Sequence, residues 1–247
     1  MTNNSPVALI TGASKRIGRE IALSLHTRGC RIVIHYHQSA EAALELNALM
    51  NGKEPASAVA IQANLDNDKE IQQLARKAKQ AFGRVDILIN NASRFYPDSI
   101  GAINAEIWDD LTGSNLKTPL FLSQALASEL RQNKGCIINL ADIYGHKPLK
   151  SHTVYSVAKA GNMMLTKSLA LELAPDVRVN GVCPGAIIWP ENASADSQKR
   201  QAQILENTLL GRKGEAGDIA STVTFLALDA PFINGQIIHV DGGRKDV

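Results

Sequence analysis

Tyr155 and Lys159 are the residues of this sequence whose type and spacing most directly suggest chemistry. Side chains four positions apart in a helix lie on the same face, about one turn apart. A nearby ammonium favours the phenolate, so we expect Lys159 to lower the pKa of Tyr155 from the value of about 10 that a free tyrosine has. The pair predicts a general acid–base device. The motif is short, and a surface Tyr–Lys pair is the alternative.

Asp142 is a second candidate for proton chemistry. It follows Cys136–Leu140, an apolar run typical of a buried strand, and precedes the helix that carries Tyr155. It could position Tyr155, return a proton to Tyr155 after transfer, or relay a proton itself. An ionised aspartate would repel the oxyanion of a ketone, so Asp142 argues against plain ketone reduction. The alternative is a cap of the following turn.

A glycine turn near the N-terminus predicts a dinucleotide site. Residues 7–11 are typical of a buried strand, and residues 12–18 (GASKRIG) lead directly into a helix with an apolar face. Gly12 lets the backbone turn, Gly18 permits close approach, and the helix N-terminus supplies N–H groups and positive potential for a pyrophosphate. The alternative, an ordinary strand-to-helix connection, fits this context less well.

The end of the second predicted strand bears on the choice between NAD and NADP. NAD-preferring folds place an acid there to hold the ribose 2′-hydroxyl. Here the strand ends in His35–Ser39 (HYHQS), which has no carboxylate, and Lys15 and Arg16 face it from the glycine turn. Cations and hydrogen-bond donors suit a 2′-phosphate, so we expect NADP(H). His35 and His37 have no third ligand at a suitable spacing, and no metal site is expected.

Strands and helices alternate along the chain, and these elements must position the candidate residues. Strands are predicted at residues 7–11, 31–35, 59–61, 85–90, 136–140, 177–182 and 237–240, with a long helical region over residues 106–132. Ser39 and either Asp66 or Asp68 are the expected N-caps of the second and third helices. The pattern predicts an α/β fold: a single-domain, doubly wound, Rossmann-type parallel sheet of about seven strands with helices on both faces.

The composition fits one globular domain spanning residues 1–247. The chain is 45% hydrophobic and has a net charge of +2, so neither nucleic acid nor a membrane is expected as a partner. Three scattered cysteines, the absence of a signal-peptide pattern and the absence of an apolar run of about 18 residues predict a cytoplasmic protein. The polar stretch near residues 188–210 is expected to form a substrate lid or flap.

Taken together, the motifs resemble the short-chain dehydrogenase/reductase family over essentially the whole chain. Besides the glycine turn and the Tyr–Lys pair, the matching residues are Asn90-Asn91-Ala92, Asn115, Pro184-Gly185 and Asp241-Gly242-Gly243. The resemblance implies that Asn115 is catalytic and that Pro184-Gly185 lies beside the nicotinamide. It also implies a homotetramer that uses the long helical region and the helix over residues 154–173. That second helix is apolar on more than one face, which favours burial on both sides.

Two departures from the general family pattern resemble its pteridine reductase branch. Arg16 stands where the family turn has a glycine, and Asp142 stands where the family has a serine. Residues 91–97 (NASRFYP) are also similar to that branch, in which the residues matching Ser93 and Phe95 contact the pterin. The resemblance implies that Phe95 stacks on the planar pterin and that Arg16 reaches its heteroatoms or the cofactor phosphates. A core aromatic is the alternative for Phe95.

The predicted function is NADPH-dependent reduction of a dihydropterin or dihydrofolate to the tetrahydro form. One alternative is another NADP-dependent reductase of the family, such as a 3-oxoacyl carrier-protein reductase; the other is a catalytically silent dinucleotide-sensing module. The expected catalytic residues are Asp142, Tyr155, Lys159 and Asn115, and the expected substrate contacts are Arg16, Ser93, Phe95, Asp142 and Tyr155. The expected cofactor contacts are Gly12, Ser14, Lys15, Arg16, Ile17, Gly18, His35, Tyr36, His37, Gln38, Ser39, Asn64, Leu65, Asn91, Ala92, Ser93, Tyr155, Lys159, Pro184, Gly185 and Ile187.

Overall fold

The structure, a computed structural model, describes residues 5–187 and 195–244. Its strands are β1 (Val7–Ile10), β2 (Arg31–Tyr36), β3 (Ala58–Gln62), β4 (Ile87–Asn90), β5 (Cys136–Leu140), β6 (Arg178–Pro184) and β7 (Ile237–Val240). They form a seven-stranded sheet in the order β3-β2-β1-β4-β5-β6-β7, and every neighbouring pair is parallel. The predicted doubly wound α/β fold is confirmed.

The helices connect the strands as the periodicity predicts. They are α1 (Arg16–Thr27), α2 (Ala40–Lys53), α3 (Asp68–Phe82), α4 (Ala105–Thr112), α5 (Thr118–Gln132), α6 (Thr153–Glu172), α7 (Ala195–Glu206) and α8 (Ala216–Leu228). A π-helical segment, Gly113–Lys117, joins α4 to α5, so the predicted long helical region is continuous but not uniform. Of the expected lid, residues 188–194 lie outside the described residues, and residues 195–206 form α7. No described helix is long and apolar enough to cross a lipid bilayer.

One predicted helix cap is wrong. The N-cap of α3 is Asn67, whose side chain accepts a hydrogen bond from the Lys69 N–H. Asp66 lies before the cap, and Asp68 already belongs to the first turn, where its charge favours the helix N-terminus. Ser39 does occupy the N-cap position of α2, but its side chain makes no capping hydrogen bond.

The sheet has a separate apolar core on each face. α1, α2 and α8 cover one face, where Ile10, Ile34 and Ile89 are buried. α3, α5 and part of α6 cover the other face, where Leu9 and Leu88 are buried. Burial on both faces explains why the strand segments are apolar runs without alternation.

The strand order reverses between β1 and β4, which pair directly. From β1 the chain crosses outward to β2 and β3, and it returns to β4 on the opposite side of β1. Loops leaving two adjacent strands in opposite directions open a crevice at their carboxyl ends, which is where ligands bind in such sheets. The topology therefore places the glycine turn after β1 and the Asn91–Pro97 segment after β4 at one crevice.

Candidate active site

The glycine turn after β1 is held by hydrogen bonds from the segment after β4. The Asn91 side-chain amide donates to the carbonyl oxygens of Thr11 (2.8 Å) and Gly12 (3.2 Å). The Thr11 hydroxyl accepts from the backbone N–H groups of Asn91 and Ala92, both at 2.9 Å. These four hydrogen bonds connect the loop after β1 to the loop after β4 at the base of the crevice. Thr11 is the last residue of the first predicted strand, and the sequence alone did not indicate this bridging role.

Both predicted glycines of the turn are required by geometry. Gly12 has φ +61°, a conformation that other residues rarely adopt. A Cβ on Gly18 would overlap the Gly12 carbonyl oxygen and lie 2.6 Å from the Asn91 amide nitrogen. The close approach leaves the N-terminus of α1 open at the crevice, which fits the pyrophosphate of a dinucleotide. Ser14 is buried in this turn, and Ile17 lines the neighbouring cleft.

Arg16 is the first residue of α1 and has φ +53°. This left-handed conformation costs a residue with a Cβ roughly 1–2 kcal/mol. Arg16 and the preceding Lys15 are both exposed beside the turn. A strained, exposed arginine at a crevice is a candidate for a functional contact.

His35 lies beneath the turn. Its Nδ1 accepts the Gly12 N–H (3.1 Å), which leaves the Nε2–H to donate to the Ala63 carbonyl oxygen (3.1 Å). Burial lowers the pKa of His35 to about 4, so the ring is neutral at physiological pH. His35 was expected among the cofactor contacts, but the structure gives it a supporting position with both ring nitrogens engaged.

The other residues expected at the adenine end lie at the carboxyl ends of β2 and β3. Tyr36, His37 and Ser39 are half-buried, and Gln38 is exposed. The Asn64 N–H donates to the Glu70 carboxylate (2.6 Å), and the Leu65 carbonyl accepts from the Thr118 hydroxyl (2.9 Å). The expected adenine-side segments therefore meet at one end of the crevice.

Asp142 and Tyr155 are hydrogen-bonded in the structure. The Tyr155 hydroxyl donates to Asp142 Oδ2 at 2.7 Å, and the other carboxylate oxygen, Oδ1, accepts from the Tyr144 N–H at 2.8 Å. Asp142 thus caps the short 3₁₀ turn Ile143–Gly145 and contacts the phenol at the same time. The two roles that the sequence presented as alternatives are both present in one carboxylate.

The position of Lys159 corrects one expectation. Its buried ammonium donates to the Leu140 carbonyl oxygen at 2.8 Å, and it lies 5.7 Å from the centroid of the Tyr155 ring. The pKa of Tyr155 is raised, not lowered, because the phenol is buried and the Asp142 carboxylate lies beside it. Burial also lowers the pKa of Lys159 to about 8, against the opposing effect of Asp142.

The carboxyl group of Asp142 is also perturbed. Its pKa is raised by burial, and the Lys159 ammonium and the hydrogen bonds from Tyr144 and Tyr155 oppose this shift. The pKa values of the phenol and of the carboxyl group are therefore both raised from their ordinary values. Such a pair can hold a proton at the cleft and deliver it to a basic atom of a substrate.

Asn115 lies in the π-helical segment and is fully buried. Its amide donates to the carbonyl oxygens of Arg94 and Leu111, both at 2.9 Å, and its Oδ1 accepts from the Ser93 hydroxyl at 2.8 Å. Its own carbonyl oxygen accepts from the Asn162 side chain of α6 at 2.9 Å. Asn115 therefore ties the segment after β4 to the helix that carries Tyr155 and Lys159. π-helical segments are frequent at functional sites.

Phe95 forms one wall of the cleft and is not a core residue. It is 55% exposed, and its ring stacks on the His152 ring with centroids 4.7 Å apart. It also makes a T-shaped contact with the Tyr155 ring, with centroids 4.8 Å apart. The neighbouring Asp98, which sequence reasoning missed, accepts the Tyr155 backbone N–H at 3.1 Å. This hydrogen bond holds the loop after β4 against the first turn of α6.

These residues enclose a cleft of about 380 Å³. Its lining comprises Ile17, Asn91, Ser93, Phe95, Leu140, Ala141, Asp142, Tyr144, Tyr155, Lys159, Pro184, Gly185, Ala186, Ile187, Ile204 and Arg244. The predicted nicotinamide-side residues Pro184, Gly185 and Ile187 are thus in the same cleft as the predicted proton donors. Ile204 belongs to the stretch expected to form a substrate lid, although it was not named as a site residue. Tyr144 and Arg244 were not predicted, because they come from separate elements and no local motif marks them.

Comparison with known proteins gives a consistent assignment at the family level. A sequence profile described as Enoyl-(Acyl carrier protein) reductase matches residues 12–245. The 3-oxoacyl-(acyl-carrier-protein) reductase FabG of Staphylococcus epidermidis is 39% identical over 239 residues, covering 96% of this chain and 97% of the relative. The 3-oxoacyl-(acyl-carrier-protein) reductase of Synechocystis is 39% identical over 246 residues, covering 96% of each chain. Pteridine reductase 1 of Leishmania tarentolae is 35% identical over 279 residues, covering 97% of this chain and 96% of the relative.

These relatives share nearly the whole length of the chain, and the structure provides the parallel sheet, the glycine turn and the buried tyrosine–lysine helix. The chain belongs to the short-chain dehydrogenase/reductase family and is an NAD(P)-dependent reductase.

Proposed function

We propose that this protein reduces a dihydropterin or dihydrofolate to its tetrahydro form with NADPH. The observation that carries the proposal is the 2.7 Å hydrogen bond from the Tyr155 hydroxyl to Asp142, beside the exposed ring of Phe95. Hydride addition to a C=N bond requires a proton at the nitrogen. The pKa values of the phenol and of the carboxyl group are both raised, so a proton held between them is available for delivery to that nitrogen.

The cleft residues divide the work between binding and proton transfer. A bound NADPH supplies the hydride. Phe95 offers an aromatic face against which a planar pterin ring can stack. Tyr155 donates the proton, Asp142 holds and replaces it, and the Lys159 ammonium, fixed on the Leu140 carbonyl, keeps positive charge beside the pair. Asn115 and Asp98 hold these elements in register.

The preference for NADPH over NADH rests on the adenine end of the crevice. Lys15 and Arg16 are exposed at the turn, and the segment after β2 has no carboxylate to repel a 2′-phosphate. We expect NADPH to bind at least tenfold more tightly than NADH, about 1.4 kcal/mol. Fluorescence titration of both cofactors measures this difference, and equal affinities would contradict it.

A second candidate, 3-oxoacyl carrier-protein reduction, is favoured by the comparisons. The relatives with that name reach 39% identity, against 35% for the pteridine reductase. Residue chemistry favours the pterin, whereas overall similarity favours the oxoacyl substrate. The two candidates differ in what residue 142 contributes: in pterin reduction Asp142 returns the proton to Tyr155, whereas in the oxoacyl reaction a serine hydroxyl would donate directly to the carbonyl oxygen.

The test is the steady-state kcat/KM of the wild-type protein, Asp142→Ser and Tyr155→Phe on a dihydropterin and on a 3-ketoester. We expect both variants to lose about 10²–10⁴-fold on the dihydropterin while NADPH binding survives. Asp142→Ser is expected to gain on the ketoester relative to the wild type. Asp176→Ser, a change at an exposed aspartate in the loop before β6, is the matched control and should leave both activities unchanged. Unchanged pterin turnover in Asp142→Ser, or wild-type turnover of the ketoester alone, would favour the second candidate.

A further inference from the structure

A second cavity adjoins the catalytic cleft. It has a volume of about 700 Å³ and is lined by Pro97, Ser99, Ile143, Tyr144, Lys147, Pro148, Leu149, Lys150, Ser151, His152, Gln203, Ile204, Asn207 and Arg244. Tyr144, Ile204 and Arg244 line both spaces. His152 lines the second cavity and stacks on Phe95, so these two rings form part of the boundary between the cavities. A substrate whose ring lies against Phe95 therefore has room to extend past this boundary.

The second cavity is strongly cationic. Lys147, Lys150 and Arg244 contribute three positive charges, and its described lining contains no aspartate or glutamate. None of these three side chains forms a salt bridge with a carboxylate among the residues that the structure describes. Arg244 instead donates to the Tyr144 hydroxyl at 3.2 Å, at the junction of the two cavities. Unpaired cations of one sign in a concave space concentrate anions there.

The rest of the lining suits an extended ligand and not an isolated ion. Pro97, Pro148 and Leu149 provide an apolar surface, and Ser99, Gln203 and Asn207 provide neutral hydrogen-bonding groups. The cavity thus combines an apolar wall with cations, a combination that fits an apolar spacer ending in a negatively charged group.

We propose that this cavity is a subsite for an anionic extension of the substrate, bound by Lys147, Lys150 and Arg244. The inference rests on the proposed function, under which the anion is the carboxylate-bearing tail of a dihydrofolate. The phosphates of a carrier-linked oxoacyl substrate have the same chemistry and would use the same cations. The subsite selects substrates by their tail, whereas the cleft with Asp142 and Tyr155 selects them by their reacting group.

The experiment compares two substrates that share a reacting ring: dihydrobiopterin, which has no anionic tail, and dihydrofolate, which has one. We expect Lys147→Ala/Lys150→Ala to raise the KM for dihydrofolate roughly five- to tenfold, as expected for two partly exposed ion pairs. The KM for dihydrobiopterin and both kcat values should stay within about twofold. Lys147→Arg/Lys150→Arg retains the charge and should behave like the wild type. Lys77→Ala, at an exposed lysine of α3, controls for loss of surface charge.

Raised ionic strength provides an independent readout in the unaltered protein, since partly exposed ion pairs are screened by salt. The KM for dihydrofolate should rise with salt more steeply than the KM for dihydrobiopterin. Equal salt dependence of the two substrates, or an equal effect of the double alanine variant on both, would overturn the subsite.

Failure of the proposed function gives a different result from failure of the subsite. If the wild type reduces neither pterin, the same variants are compared on acetoacetyl-CoA, which carries phosphates, and on ethyl acetoacetate, which is neutral. A selective KM increase for acetoacetyl-CoA would support the anionic subsite although the pterin assignment had failed. No selective increase would overturn the subsite as well.

Discussion

The carboxylate of Asp142 links backbone structure to proton chemistry. One oxygen caps the 3₁₀ turn after β5, and the other accepts the Tyr155 hydroxyl. A serine at this position has a single side-chain oxygen, whereas the carboxylate contacts the two partners with two separate oxygens. Replacing Asp142 therefore perturbs the turn and the phenol together, and melting temperature must be read beside kinetics for any variant.

The raised pKa of Asp142 leads to a prediction about pH. If turnover needs the protonated carboxyl group, kcat/KM on a dihydropterin is greatest below the pKa of Asp142 in the folded protein and falls as pH rises through it. Asp142→Asn cannot ionise, so its lower activity should lack this decline. The stability of the protein should also fall as pH rises. A carboxyl group whose pKa is raised by folding contributes most to the free energy of unfolding at low pH, and this contribution is lost as pH rises through the pKa of the folded state. Profiles of kcat/KM and of melting temperature against pH check both statements, and a decline that persists unchanged in Asp142→Asn would contradict the first.

Arg16 is the residue at which backbone strain and function are most clearly opposed. Arg16→Gly removes a side chain held at φ +53° and should stabilise the protein by up to about 1 kcal/mol, because relief of strain exceeds the entropy cost of glycine. It should also weaken binding of NADPH or pterin, since a cation is lost at the crevice. Arg19→Gly, at an exposed helical position three residues later, is the control and should destabilise by about 1 kcal/mol. A fall in melting temperature for Arg16→Gly, or unchanged affinities, would count against a functional role for the strain.

At the level of elements, the cleft depends on contacts that hold three loops in place, two of them against α6. The turn after β1 is held by Asn91, the segment after β4 is held by Asn115 and Asp98, and the turn after β5 is held against the backbone of Lys159. α6 is in turn fixed to the sheet, because Thr166 accepts from the Asn139 side chain of β5 at 2.9 Å. The geometry of the cleft is thus set by contacts between elements as much as by the candidate catalytic side chains.

Gly145 offers a direct test of that dependence. A Cβ at this position would lie 2.7 Å from the Lys159 carbonyl carbon, and because the obstacle is backbone, the 3₁₀ turn would have to move. We expect Gly145→Ala to destabilise the protein by about 1–3 kcal/mol and to lower kcat by at least about tenfold through displacement of Asp142. Gly217→Ala, in α8 with no atom near the added methyl group, should leave activity unchanged. Thermal melts and kcat measure the two effects, and unaltered kcat in Gly145→Ala would show that the turn tolerates displacement.

At the scale of the whole molecule, the exposed apolar residues of α5 and α6 support the expected homotetramer. Val157, Met164 and Leu171 on α6 are 50%, 64% and 79% exposed, and Leu120 on α5 is 37% exposed. Val157, Met164 and Leu171 are seven residues apart and so share one face of α6, and an exposed apolar face is typical of a protein–protein interface. We propose that these helices pair with those of a second copy, the arrangement that the family resemblance implies.

Light scattering at micromolar concentration tests the assembly. The wild type should have the mass of a tetramer, and Met164→Glu/Leu171→Glu should reduce it, because two charges would be buried without partners at the interface. Leu44→Glu, at an exposed position of α2 on the other face of the sheet, should leave the mass unchanged. A monomeric wild type would refute the proposal.

The sequence by itself determined the fold and the glycine turn, and it singled out the candidate proton-transfer residues. Strands buried on both faces appear as apolar runs, a glycine turn before a helix has a specific backbone requirement, and Tyr155 and Lys159 are related by helical spacing. These patterns are local, so they can be recognised in the sequence without knowledge of the tertiary structure. Tertiary structure decided what the residues do to one another. The hydrogen-bond partner of the Lys159 ammonium is a strand carbonyl 19 residues away. The pKa of Tyr155 is raised, not lowered, by burial of the phenol and by the neighbouring Asp142. Arg244 and Ile204 reach the cleft from distant elements. Hydrogen-bond partners and desolvation depend on distances of a few ångströms between segments far apart in the chain, and no spacing within the sequence encodes those distances.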